Sequence, residues 1–315
     1  MSFLSIAPYA AEKINHDSAE LLFLRALCAG DTKKAAAFFE DIQQFGEPSI
    51  IDAPQGRYAG KKEITHFAQK WLSDFEAVSA EAETVTQTVG GGRSASEVIV
   101  HFHRNAGDIS IPMCIVGDLR PSNKLNEVRI YFYYGWLPGF SAYRRIIFKP
   151  KHMEPAPYPL MTGSVRKYFE LLHQQDNRQE RIEKIVALTL PDASFGGYRP
   201  DWVEPADAGH EAIRNHYNGI CADAPENYSV RAETIIDDGI QCVVEWTLVV
   251  TEKGYAAGRI AQSGIAVYER DPASGLLRGI RICDNVGKED EIPLKELPAE
   301  IRPLVSAYRD CVFSH

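Results

Sequence analysis

The sequence lacks any run of 18 consecutive apolar residues, and it lacks a basic, apolar leader at its start. We therefore expect neither a transmembrane helix nor a signal peptide. It is also short of basic residues, with 34 Lys and Arg against 43 Asp and Glu, a net charge of −9. Phosphate and anionic-lipid contacts need clustered basic side chains, so this balance argues against a nucleic-acid partner and against a membrane partner.

Cysteine is sparse and scattered, with six residues and no CxxC pair, which is typical of buried thiols in a reducing cytoplasm. The chain also lacks the GxxxxGK[ST], GxGxxG, GxSxG and HExxH motifs. We therefore expect a cytoplasmic protein with no nucleotide, flavin or nicotinamide cofactor. At 315 residues, it is long enough for two domains with cores of their own.

An internal repeat is the strongest positive signal in the sequence. An Ala-Gly segment recurs at Ala59 and Ala208, an offset of 149, and the tripeptide Ala-Glu-Thr recurs at Ala82 and Ala232, an offset of 150. Arg129-Ile130 matches Arg281-Ile282 at an offset of 152. Offsets that drift in one direction are expected of a duplication with small insertions. The sequence thus predicts two copies of one plan.

Each copy is predicted to hold three helices followed by antiparallel strands, an α+β layout. In the first half, apolar residues at Leu21, Leu24 and Leu27 predict a first helix that stops at Gly30. Helices near 32–40 and 61–75 are expected to follow, then strands at 83–89, 98–104, 109–116 and 127–134. In the second half we expect helices near 162–175, 178–188 and 209–221, then strands near 228–236, 240–251, 257–270 and 276–284. The predicted organisation is an N-terminal arm (1–16), domain 1 (17–137), a Pro-rich linker (138–160), domain 2 (161–286) and a tail with a short helix (287–315).

This order of elements resembles the NTF2-like superfamily, which includes ketosteroid isomerase and the SnoaL-like polyketide cyclases. The resemblance is carried by the segments ALCAGD (26–31), FEDIQQFGEP (39–48), VALTLPDAS (186–194), 208–217 and VRIYFYYGWLP (128–138). It implies two tandem cone-shaped domains of cystatin-like fold, each with three helices packed on a curved antiparallel sheet around an apolar pocket. The fold hosts enzymes and binding modules alike, so it does not fix the activity.

The resemblance to ketosteroid isomerase implies a carboxylate base and two hydrogen-bond donors in each pocket. In the first half Glu47 falls on the base position, while Phe23 and Cys114 stand at the two donor positions. In the second half Tyr168 falls on the tyrosine position, but the base position is near Gly197 and the second donor position is near 264–265. Neither half holds the whole set, so ketosteroid isomerase activity itself is not expected.

Other polar residues are candidates for catalysis. Asp284 ends the last strand of the second half, where SnoaL-like cyclases carry an acid/base Asp; it equally suits a turn cap. His101 and His103 lie two apart on a strand and so share a face, where they suit acid/base or ligand contact, or an ordinary sheet surface. A metal site would need a third ligand such as Glu47 or His66, and none is predicted.

Aromatic residues and one histidine are candidates for the pocket walls, with core packing as the alternative. They are Tyr131, Tyr133, Trp71, Tyr198, Trp202, His216, Tyr217 and Trp246.

Three functions remain open. The first is a cofactor-independent isomerase, cyclase or lyase that uses acid/base chemistry on a small apolar carbonyl compound. The second is a small-molecule binding protein without turnover, and the third is an interaction scaffold. The two halves are expected to form an internal pseudo-dimer, and homodimer formation is left open.

Overall fold

The structure is a computed structural model, and it describes residues 17–40, 48–132, 160–172, 177–197, 208–220, 228–250 and 259–283. These residues divide into two compact units, which we call unit 1 (within 17–132) and unit 2 (within 160–283). The predicted arm (1–16) and tail (287–315), and the predicted linker apart from residue 160, lie outside the described residues.

Unit 1 contains three helices and one six-stranded sheet. The helices are α1 (Ala19–Cys28), α2 (Thr32–Ala37) and α3 (Gly60–Asp74). The strands are β1 (Ile50–Ala53), β2 (Gly56–Ala59), β3 (Ala77–Gly90), β4 (Arg93–Arg104), β5 (Ile109–Leu119) and β6 (Leu125–Phe132). Their order in the sheet is β2-β1-β6-β5-β4-β3.

Unit 2 contains three helices and one five-stranded sheet. The helices are α4 (Gly163–Leu172), α5 (Arg178–Val186) and α6 (Gly209–Ile220). The strands are β7 (Thr189–Gly197), β8 (Tyr228–Asp237), β9 (Gln241–Val250), β10 (Arg259–Arg270) and β11 (Leu277–Cys283). Their order is β7-β11-β10-β9-β8, which repeats the order of unit 1 from β1 onwards. In the place of β2, the described residues contain a single antiparallel bridge from Ala208 to Ser194 of β7.

Each sheet contains one parallel pair, which corrects the expectation of purely antiparallel sheets. Strand β1 runs parallel to β6, and β7 runs parallel to β11. These extra strands were not predicted, because β1 is only four residues long and β7 contains Pro191 and two glycines, which weaken a strand pattern. The mixed α+β class and the four main strands of each half are as predicted.

The two units also share local backbone features. Helices α3 and α6 each begin at a glycine with positive φ, 79° at Gly60 and 87° at Gly209, which side chains rarely tolerate. The register shifts between Asp118 and Leu119 in β5, and between Glu269 and Arg270 in β10. Because both units have these irregularities at matching places, they share details of the backbone as well as the strand order.

The core of unit 1 lies between its helices and one face of its sheet, and it is strongly aromatic. The ring of Trp71 on α3 lies 5.0 Å from that of Phe75 and 5.5 Å from that of Phe67, between ring centroids. Phe75 in turn stacks on Phe102 of β4 at 4.0 Å. All four side chains are buried, and each large apolar side chain contributes about 1.5–3 kcal/mol on burial.

The core of unit 2 lies in the same place, but it includes phenols. Val165, Phe169 and Ile213 supply apolar packing from α4 and α6, while Val244 and Ile280 supply it from the sheet. Three buried tyrosines are set among them.

Among the described residues, no helix of either unit has the length and apolarity needed to cross a membrane.

Candidate functional site

Three tyrosines from three different elements meet in the core of unit 2. They are Tyr168 of α4, Tyr217 of α6 and Tyr268 of β10, and we call them the tyrosine cluster. The ring centroid of Tyr168 lies 6.3 Å from that of Tyr217 and 5.3 Å from that of Tyr268. The hydroxyls of Tyr168 and Tyr217 are hydrogen-bonded, and all three side chains are buried. The fold therefore links three phenols inside an apolar core.

The phenol of Tyr268 is held in its neutral form. Burial raises the pKa of Tyr268 well above its usual value, and the nearby Tyr168 phenol and Cys242 thiol raise it further. A hydrogen bond with Tyr168 acts in the same direction on the Tyr268 pKa. A neutral phenol donates one hydrogen bond through its proton, so the cluster is suited to binding an oxygen atom that carries or develops negative charge.

A buried ion pair lies at the end of β10, beside the cluster. The guanidinium of Arg270 donates to both carboxylate oxygens of Asp237, at 2.9 and 2.8 Å, and to the backbone oxygen of Thr162 at 3.0 Å. Burial acts to raise the pKa of Asp237, but the hydrogen bonds from Arg270 and Gly239 hold it below its usual value. The pair ties the start of α4 to the sheet.

A row of side chains connects this ion pair to the cluster. Cys242 of β9 lies opposite Asp237 of β8 on one side and opposite Tyr268 of β10 on the other. Burial raises the pKa of the Cys242 thiol well above its usual value, and the Asp237 charge adds to the effect. The thiol is therefore protonated and unreactive, and it serves as packing between the carboxylate and the phenol.

His216 and Trp246 lie at the edge of the same core. The imidazole of His216 is 4.1 Å from the ring of Phe195 on β7, between centroids, and 5.2 Å from the ring of Tyr217. It is only partly buried, as is Trp246 of β9, which packs against the core. Of the residues predicted for the second half, the structure thus brings Tyr168, Tyr217, His216 and Trp246 into one region.

Of the predicted residues of unit 1 that the structure describes, Trp71 is separated from Tyr131, His101 and His103 by the sheet. Trp71 is fully buried on α3 beside Cys28, and burial raises the pKa of that thiol to about 12. Tyr131 is also fully buried, but its neighbours in β6, Ile130 and Phe132, belong to the core. Because side chains alternate along a strand, Tyr131 points to the opposite face of the sheet from Trp71.

His101 and His103 also lie on the sheet face opposite the core of unit 1, since Phe102 between them packs in that core. His101 Nδ1 is 2.8 Å from Ser110 Oγ, and its Nε2 is 3.3 Å from Glu83. His103 Nδ1 is 3.0 Å from Asp108, and this hydrogen bond lowers the pKa of Asp108. Each histidine thus has partners on its own surface, away from the core.

Five predicted residues lie outside the described part of the chain. They are Glu47, Tyr133, Tyr198, Trp202 and Asp284. Across the described part, no group of three His, Cys, Asp or Glu side chains is placed to hold a metal ion.

The sequence did not identify the buried acids, of which Glu20 and Glu245 are fully buried. Glu20, in the first turn of α1, is fully buried and accepts hydrogen bonds from the hydroxyls of Ser18, Ser94 and Ser96. Burial raises its pKa, and the serine hydrogen bonds only partly offset this. An acid in a first helical turn is normally a solvated partner of the helix dipole, so no sequence signal marked this one as buried. Tyr268 was missed for a similar reason, since it lies in an ordinary strand pattern.

The sequence matches no known protein-family model and no curated protein. Solved structures that resemble parts of the chain are of NTF2-like or ketosteroid isomerase-like fold. One is a hypothetical protein of ketosteroid isomerase-like fold from Catenulispora acidiphila in complex with trimethylamine, at 10% identity and a TM-score of 0.32, covering 38% of this chain and 88% of that one.

Two further structures are similar at the same level. One is an epoxide hydrolase from M. tuberculosis described as LEH-like, at 16% identity and a TM-score of 0.30, covering 36% of this chain and 79% of that one. The other is an NTF2-like protein of unknown function from Cytophaga hutchinsonii, at 12% identity and a TM-score of 0.28, covering 38% of this chain and 96% of that one. At these identities and TM-scores the likenesses carry no information about activity.

Proposed function

We propose that this chain is a tandem NTF2-like protein whose unit 2 binds a small, apolar carbonyl compound through the tyrosine cluster. The reaction we propose for it is cofactor-independent isomerisation, cyclisation or elimination by acid/base chemistry. The observation that carries the proposal is the hydrogen-bonded cluster of three buried phenols in an otherwise apolar core.

The chemistry follows from the low polarity around the cluster. When a proton leaves the carbon next to a carbonyl, negative charge develops on the carbonyl oxygen. Prepositioned phenol donors stabilise that charge more strongly in an apolar core than water does in bulk solution. Removing one such donor from an enzyme typically lowers kcat by about 10²–10³-fold.

The ligand is proposed to be neutral, because the cluster presents hydroxyls and not charge. Arg270, two residues beyond Tyr268 on β10, is bound to both oxygens of Asp237. That guanidinium is therefore already neutralised by its own partner. A neutral ketone suits phenol donors and apolar walls, whereas a carboxylate or phosphate ligand would need a cation of its own.

Binding of 4-nitrophenol tests the donor site, because its phenolate oxygen resembles an enolate oxygen and the bound form is followed by absorbance. A hydrogen bond to a charged acceptor is worth about 1.5–3 kcal/mol, so Tyr168→Phe should weaken phenolate binding by at least about tenfold. Tyr131→Phe, which removes a buried phenol from the other unit, is the matched control and should leave affinity unchanged. Equal affinity of the wild type and Tyr168→Phe would exclude the proposed donor role.

The internal pseudo-dimer and the cytoplasmic location remain predictions. So do the roles of Glu47 and Asp284 as bases, and those of His101 and His103 in ligand contact.

A further inference from the structure

We infer that Arg178 is a positioning residue for the tyrosine cluster and that it acts through Tyr217. The inference rests on the proposed function and goes beyond it, since it names a residue outside the cluster that sets the geometry within it. Arg178 is the first residue of α5, and the side chain of Asn177 before it caps that helix by accepting from the backbone N–H of Gln179 at 3.0 Å. The backbone that carries the guanidinium is therefore itself fixed at a capped helix end.

The guanidinium of Arg178 binds the backbone of Tyr217 directly. Its Nη2 donates to the backbone oxygen of Tyr217 at 3.0 Å and also to the backbone oxygen of Asn218. Both oxygens belong to the last four residues of α6, and carbonyls at such a helix end lack an intrahelical partner and carry the negative end of the helix dipole. A guanidinium suits them, because it is always charged and donates in a fixed plane. Arg178 thus caps α6 at the residue that supplies a phenol to the cluster.

This contact bears on where the Tyr217 hydroxyl lies. Tyr217 is buried, and its hydroxyl is hydrogen-bonded to that of Tyr168 on α4. Side-chain ends lie about 5–6 Å from a helix axis, so a rotation of α6 by about 20° would move them by about 2 Å. A hydrogen bond between two hydroxyls does not survive such a shift, since its oxygen atoms must lie within about 3 Å of each other. By fixing the backbone at Tyr217, Arg178 keeps the two phenols in register.

A second contact between α5 and α6 does not involve the backbone of Tyr217. Glu183 of α5 accepts hydrogen bonds from Nε and Nη2 of Arg214, at 2.8 and 2.9 Å. The two side chains are 46% and 37% exposed, and an ion pair of this kind holds its helices only weakly. It joins the same two helices through side chains alone, which makes it the matched control for Arg178.

A double-mutant cycle on the whole chain tests the inference, with binding of 4-nitrophenol followed by absorbance. Arg178→Gln should weaken phenolate binding by about three- to tenfold, which corresponds to the loss of one correctly placed hydrogen bond. Tyr217→Phe should weaken it by a similar factor. In the Tyr217→Phe background, Arg178→Gln should change the affinity by less than about twofold, because the hydroxyl on which Arg178 acts is gone.

Two further variants sharpen the result. Arg178→Lys keeps the positive charge but loses the planar fork, so its affinity should lie between those of the wild type and Arg178→Gln. Glu183→Gln removes the control contact and should leave the affinity within about twofold of the wild type. Thermal unfolding shows whether each variant is folded. If Arg178→Gln does not fold, Arg178→Lys takes its place in the cycle, with the same two outcomes.

Wild-type affinity in Arg178→Gln would overturn the inference and leave the donor site standing. An equal loss of affinity in the wild-type and Tyr217→Phe backgrounds would also overturn it, because that result would show a general loosening of unit 2 and no action through Tyr217. A wild type that does not bind 4-nitrophenol would overturn the proposed function, and the positioning role with it.

Discussion

Units 1 and 2 share a strand order and a helix order, yet they fill the same interior with different chemistry. Phe23 on α1 of unit 1 takes the place that Tyr168 takes on α4 of unit 2. Counted from the glycines that begin α3 and α6, Phe67 and Ala68 of unit 1 correspond to His216 and Tyr217 of unit 2. At each of these three pairs of corresponding positions, unit 1 has an apolar side chain and unit 2 has a polar one.

The sheets show the same difference. Gly117 of β5 lies opposite Ser94 and Val128, while Tyr268 of β10 lies opposite Cys242 and Ile280. Gly117 directly follows the strand partner of Arg129, and Tyr268 directly follows the strand partner of Arg281. Because the two arginines are equivalent in the repeat, Gly117 and Tyr268 hold the same position. A side chain at Gly117 would meet Glu20, since a Cβ there would lie 2.9 Å from the Glu20 Cβ. Unit 1 thus places its buried acid near the position where unit 2 places a phenol.

The shared architecture therefore constrains the backbone far more than it constrains the choice of buried side chains. Both units satisfy the same turns, pairings and irregularities, because these depend on glycines, strand patterns and local sterics. The interior only has to be filled at the right volume, so aromatic packing in one unit and phenols in the other serve equally well. A polar interior costs stability, and each unit contains a different one, three phenols in unit 2 and Glu20 with its serine partners in unit 1.

The largest expected effect is on the aromatic core of unit 1. Trp71→Ala removes the side chain packed between Phe67 and Phe75, and it should lower the free energy of unfolding of unit 1 by about 3–5 kcal/mol. Leu22→Ala, at a side chain on α1 that is 36% exposed, is the control and should change it by no more than about 0.5 kcal/mol. Urea unfolding measures both. A Trp71→Ala loss as small as that of the control would show that this core is loosely packed.

A smaller effect is expected from exchanging the paired positions on α1 and α4. Phe23→Tyr places a hydroxyl among the rings of Phe38 and Phe39, and a buried donor without a partner costs about 1–3 kcal/mol. Tyr168→Phe removes a hydroxyl that has partners and should cost about 0.5–1.5 kcal/mol. Thermal unfolding of both variants tests the difference. If Phe23→Tyr is neutral and binds 4-nitrophenol more tightly, unit 1 has an unrecognised donor site.

The last substitution, Glu20→Gln, is expected to stabilise the protein, whereas those above destabilise it. Because burial raises the folded-state pKa of Glu20, the unfolded chain loses this proton first as the pH rises. The stability of unit 1 should therefore fall between the usual glutamate pKa and the raised one, and stay low above it. Glu20→Gln cannot ionise, so it should be more stable than the wild type at neutral pH, with the advantage disappearing at acid pH. Urea unfolding across this pH range checks the sign, and a destabilised Glu20→Gln at neutral pH would contradict it.

Much of the fold could be predicted from the sequence, because helix stripes, glycine turns and β-branched strands are local signals. The helix from Gly60 to Asp74 and the hairpin turn at 91–92 are examples. Strand β1 could not be predicted, since four residues carry too little pattern and its parallel partner β6 lies more than 70 residues away.

The site was predictable only in part. Tyr168 and Tyr217 were identified as candidates, but their hydrogen bond joins α4 to α6, and no local pattern records which helix faces meet. Tyr268 and Glu20 were missed because burial of a polar side chain depends on the packing around it, which a single sequence does not show. The same limit explains why Trp71 and Tyr131, both aromatic and both buried, turn out to lie on opposite faces of one sheet.

The central claim is that the phenols of unit 2 form the ligand site and that those of unit 1 do not. The most direct measurement is an NMR titration of the whole chain, carrying isotope-labelled tyrosine, with 4-nitrophenol, using single Tyr→Phe variants to assign the resonances. The account predicts that the Tyr168 and Tyr217 resonances shift on binding, while those of Tyr58 and Tyr131 stay in place. Shifts confined to Tyr58 or Tyr131, or saturation with no change at Tyr168, would contradict it.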